Sequence, residues 1–121
     1  MENKEILDRF GRLLIKEAYD NHLSLVKHDI SDLRQTERFK KLFGTMSQEQ
    51  KSELENLVFE ILSGIMFDFL RIFEENREFK IYYESKGLRI DLAEITEMLK
   101  AEPIIENGWI DRFSEYSAKK D

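Results

Sequence analysis

Cysteine is absent from the 121 residues, which removes disulfide staples, thiolate zinc sites and cysteine nucleophiles together. Glycine is sparse. The five sit at 11, 44, 64, 87 and 108, too scattered for a Gly-rich loop that would cradle a phosphate. The single proline, Pro103, leaves most of the chain free to be helical. Crossing a bilayer takes about 20 predominantly apolar residues. The nearest approach, Phe59 to Phe73, is interrupted by Glu60, Asp68 and Arg71, so no membrane partner is expected. The amino terminus MENKEILDRFGRLLIKEA has no apolar h-region, so no secretory signal is expected and the cytoplasm is the default location.

Reactive constellations are equally thin. His22 and His28 are six residues apart with no HExxH or ExxH pattern, so no metal site is expected. Ser24 to Lys27 spells S-x-x-K but lacks its companion motifs. The carboxylate pairs Glu94/Glu97 and Glu74/Glu78 have helical spacing, and such faces are ordinarily solvated rather than catalytic. No catalytic residue, cofactor or metal ligand is assigned.

What the chain does have is core material: nine Phe and 41% hydrophobic residues in a length suited to one domain, 1–121. Ile6, Leu7, Phe10, Leu13, Leu14 and Ala18 recur at three and four residues, predicting a helix from about Lys4 to the low twenties that breaks before Asp29. A second helix is predicted over Asp32 to Phe43, capped by Ser31 or Asp29 and closed by Gly44, with Leu33, Phe39, Leu42 and Phe43 inward and Glu37 paired with Lys41. SQEQ at Ser47 to Gln50 is a capping box. It opens a long central helix, about 48–75, expected to be buried except for one wet edge through Glu53, Asn56, Glu60, Gly64, Asp68, Arg71 and Glu75. Gly64 on that edge is expected to mark the close approach of another backbone.

The period then changes to two. Phe79, Ile81 and Tyr83 alternate with Lys80, Tyr82 and Glu84, and Leu88, Ile90 and Leu92 with Arg89 and Asp91, predicting a β-hairpin over about 79–92. Its expected register places Tyr83 opposite Leu88, Ile81 opposite Ile90 and Phe79 opposite Leu92, with Lys80 opposite Asp91. Asp91 to Glu94 should start a short helix with Ile95, Met98 and Leu99 inward, ending at Pro103. Asn107-Gly108 signals a turn before a last amphipathic segment carrying Trp109, Ile110, Phe113 and Tyr116, and the terminal SAKKD is expected to fray. The fold class is mainly α within α+β: about four to five helices around the long central one, with one inserted hairpin.

Net charge is −6, and residues 45–78 hold three basic against eight acidic residues. That balance disfavours nucleic acid, which needs concentrated positive potential. The one basic cluster with aromatics, Arg38 to Phe43, is better read as a helix with Phe39, Leu42 and Phe43 inward. A basic protein partner suits the chain better, with Glu49, Glu53 and Glu60 of the long helix, Tyr82 on the outer hairpin face and Trp109 as contact candidates, although helical spacing also places Trp109 in the core. The expected role is a non-catalytic, intracellular protein-binding module. In size, charge and lack of cysteine the chain resembles, in a general way and without a shared motif, the small immunity proteins that neutralise bacterial toxins, which implies an inhibitor-type role. A homodimer or larger homo-oligomer of structural role is the alternative, and a small carboxylate-dependent enzyme using Asp68 and Glu60 the second.

Overall fold

The amphipathic amino-terminal segment forms one helical rod with a change of winding in the middle. In the computed structural model, which describes residues 1–117, α1 (Asn3–Leu14) passes into a π-helical turn, Ile15–Tyr19, and then into α2 (Asp20–Lys27). The π turn is seen in the Asp20 amide, which donates to the carbonyl of Ile15 five residues back. It lets Ile6, Leu7, Ile15, Tyr19, Leu23 and Val26 all reach the core from one rod. The expected fraying of the terminal SAKKD falls mainly on 118–121, outside the described residues.

The predicted second helix is two short ones, α3 (Ile30–Arg34) and α4 (Lys40–Gly44). Thr36 explains the break. Its hydroxyl donates to the Leu33 carbonyl at 2.8 Å and accepts from the Phe39 amide at 3.3 Å, offering the backbone a local turn in place of the helical ladder. Of the four inward candidates only Phe43 is buried, while Leu42 is exposed. Glu37 pairs with Lys40 rather than Lys41. Gly44 is the last helical residue and does not adopt a left-handed conformation.

The capping box forms as read. The Ser47 hydroxyl accepts from the Gln50 amide at 3.1 Å and the Gln50 side-chain oxygen accepts from the Ser47 amide at 2.8 Å, opening α5 (Gln48–Glu75). At 28 residues it is about 42 Å long, a little longer than the continuous rod of α1, the π turn and α2.

The hairpin pairs β1 (Tyr82–Ser85) with β2 (Leu88–Asp91), antiparallel, in a register two residues from the expected one. Ser85 lies opposite Leu88 and Tyr83 opposite Ile90. The reason is the turn: Lys86 and Gly87 both take positive φ, 49° and 81°, forming a two-residue loop whose twist suits the strands better than the longer ESKG loop. A slip of two keeps every side chain on its face. Lys80 and Asp91 still meet at 3.7 Å.

After the hairpin the chain makes two 3₁₀ turns, Leu92–Ile95 and Leu99–Ala101, in place of a single helix. Asp91 caps the first by accepting from the Ala93 amide at 3.0 Å. Leu99 is buried but Met98 is exposed. Asn107 takes φ 59°, and α6 (Trp109–Phe113) follows. Trp109, Ile110 and Phe113 join the α1–α2 residues, Met66 and Leu70 of α5, Leu92 and Leu99 in one apolar cluster.

Arg112 locks α6 to α1. It donates to Asp8 at 3.0 Å, and Lys4 reaches the other carboxylate oxygen at 3.1 Å. Partial burial pushes the Asp8 carboxyl up, but Arg112 and Lys4 together outweigh this and hold it below its ordinary value. A depressed folded-state value means stability that is present at neutral pH and lost as pH falls through that value. Asp8→Asn should therefore cost about 1 kcal/mol at neutral pH. Its urea midpoint should converge with that of the wild type well below about pH 4; parallel curves down to that acidity would refute the linkage.

Candidate docking surface

The chain holds α5 by one side only. Lys27 of α2 meets Glu55 at 3.3 Å, Tyr19 packs edge-on against Phe59, and the Lys100 amide donates to Glu74 at 2.6 Å. Met66 and Leu70 are the buried residues of the helix. With 3.6 residues per turn, all of these lie on one side. Among the described residues, no element packs along the opposite side.

This overturns the expectation of a buried helix with a wet edge. Leu57, Ile61, Ile65, Phe69 and Ile72 recur at steps of four and three, and each is between 45 and 59% exposed. The stripe runs about 22 Å. The period shows which residues share a face, not which face the rest of the chain packs against. The outer face of α5 is thus a line of exposed large apolar side chains.

Beside the stripe lies an apolar groove of about 330 Å³, walled by Leu14, Ala18 and Tyr19 on one side and Leu62, Ile65 and Phe69 on the other, with His22 also lining it. Its amino-terminal wall includes part of the π turn, a feature that recurs at functional positions because it displaces a helix face locally. His22 is turned back on its own helix, its Nδ1 donating to the Ala18 carbonyl at 2.9 Å. Burial, and to a smaller degree the neighbouring Asp20, raise the Tyr19 phenol well above its usual range, so it stays neutral.

The residues nominated from sequence fall in different places. Glu49, Glu53 and Glu60 are exposed on α5 and make no ion pair among the described residues. Tyr82 is exposed on the hairpin, under the Arg89 guanidinium at 4.1 Å. Trp109 is wholly buried, so it supports the fold and offers no contact surface. Asp68 and Arg71 pair at 3.7 Å, in the open. Beyond its own helix, none of the described residues comes within 4 Å of where a Cβ on Gly64 would stand, so no other described segment makes the expected close approach.

No family model, curated protein or solved structure matches the chain. Among the described residues, no group of three or more His, Cys, Asp and Glu could hold a metal ion, and no helix is long and apolar enough to cross a membrane.

Proposed function

We propose that this chain is a non-catalytic protein-binding module whose contact surface is the outer face of α5. One observation carries the reading: five large apolar side chains, Leu57, Ile61, Ile65, Phe69 and Ile72, stand in line on a helix held from the other side. Glu53 and Glu60 form a polar rim, the usual surround of an apolar contact. The neutralisation of a basic partner expected from net charge becomes a secondary feature, because the centre of the surface is uncharged. Binding should accordingly withstand added salt, whereas a purely electrostatic contact would be screened.

A photo-crosslinking residue at position 69, compared with one at the exposed Glu37 position, tests this in the native cell. Discrete protein adducts are expected from 69 and not from 37, persisting in high salt and lost when Ile65→Lys is added. Equal labelling from both positions, or adducts that vanish with salt alone, would overturn it.

A further inference from the structure

We propose that a second copy of this chain covers the outer face of α5, the two α5 helices running antiparallel about a two-fold axis at Ile65; this rests on the docking surface proposed above. A small apolar ligand does not suffice. The groove of about 330 Å³ engages Ile65 and Phe69 but leaves Leu57, Ile61 and Ile72 outside its lining. Covering the whole stripe takes another protein surface of comparable length.

The stripe matches its own reverse. In an isologous contact residue i meets j and j meets i, so the face must read alike from both ends. Ile61 and Phe69 are equidistant from Ile65, and Leu57 and Ile72 come within one residue of the same reciprocity. An antiparallel pair thus sets Leu57 against Ile72 and Ile61 against Phe69, with Ile65 beside the axis. The flanking charges follow the same symmetry. Glu60 of one copy comes within a turn of Arg71 of the other, whereas a parallel pair would set Glu60 against Glu60 and Glu53 against Glu53. Within its own chain Arg71 makes only long contacts, 3.7 Å to Asp68 and 3.9 Å to Glu75, and remains 47% exposed, free to turn to a new carboxylate.

Uncharged apolar side chains at the centre and opposite charges near one another across the axis fit a second copy better than a basic partner. Gly64 stands on the polar edge, about 100° around the helix from Ile65, in a groove with Phe67, Asp68 and Ile104, and so borders this contact.

Size-exclusion chromatography with light scattering on the full chain, over a concentration series, tests the proposal. The wild type should reach dimer mass. Ile65→Lys should weaken dimerisation by at least about thirtyfold while its circular dichroism stays helical. Glu60→Arg and Arg71→Glu should each weaken the dimer, and the doubly exchanged chain should recover it. A wild type that stays monomeric, a dimer indifferent to Ile65→Lys, or a double exchange that recovers nothing would overturn the arrangement. A monomer that still gives foreign adducts from position 69 would defeat this proposal and leave the docking reading standing.

Discussion

Replacing Trp109 with Ala is expected to cost about 3–5 kcal/mol of stability, lowering the melting temperature by roughly 10 to 20 °C for a chain of this size. The indole is fully buried, and its ring lies 2.5 to 2.6 Å from where a Cβ on Gly11 would stand. Phe10 meets it edge-on at 5.7 Å. The ring thus fills the space that glycine leaves on α1, and no smaller residue from α6 reaches that far. Its Nε1 has no hydrogen-bond partner among the described residues, so Trp109→Phe should cost less than the lost area implies, because it also removes a buried unsatisfied donor. Urea unfolding followed by far-UV circular dichroism measures both. A loss under about 1 kcal/mol for Trp109→Ala would mean that α6 contributes little to the core.

That pair shows where the sequence could and could not be read. Gly11 and Gly64 are both glycines inside helices, and each invites the inference that something passes close. In the folded chain only Gly11 has such a neighbour, an aromatic ring 98 residues away in sequence. Spacing along a chain carries no information about which of two glycines a distant ring will reach. Local chemistry was legible at Ser47 and Gln50, which set the start of α5, whereas the hairpin register was missed because Lys86 as well as Gly87 takes left-handed backbone and shortens the loop to two residues. The split between α3 and α4 was harder to see, because Thr36 competes with the helix through hydrogen bonds that composition does not display.

The candidate surface was misjudged for a similar reason. Totals of charge drew attention to Glu49, Glu53 and Glu60, while Leu57, Ile61, Ile65 and Ile72 were assigned inward by period alone. Periodicity groups residues on a face, and burial requires that another element be long enough to lie there. The short α3, α4 and α6 do not extend along that face.

Asp20→Ala is the second large effect, expected at about 2–4 kcal/mol. Asp20 is buried at the start of α2, where its carboxylate accepts from the Ser114 hydroxyl at 2.6 Å and the Glu115 amide at 3.0 Å. Ser114 is itself fully buried and accepts in turn from the Tyr116 amide at 3.1 Å. One side chain thus ties the segment after α6 to the rod 94 residues earlier. Truncation to Ala leaves the hydroxyl and the Glu115 amide without their acceptor, and nothing apolar takes their place. Asp20→Asn keeps one acceptor oxygen but turns an amide donor toward the other group, so its loss should fall between wild type and Ala. Hydrogen exchange separates this from a general loosening: the Glu115 and Tyr116 amides should lose protection in Asp20→Ala before those of α5 do. If protection falls uniformly instead, Asp20 is not the tether that the geometry describes.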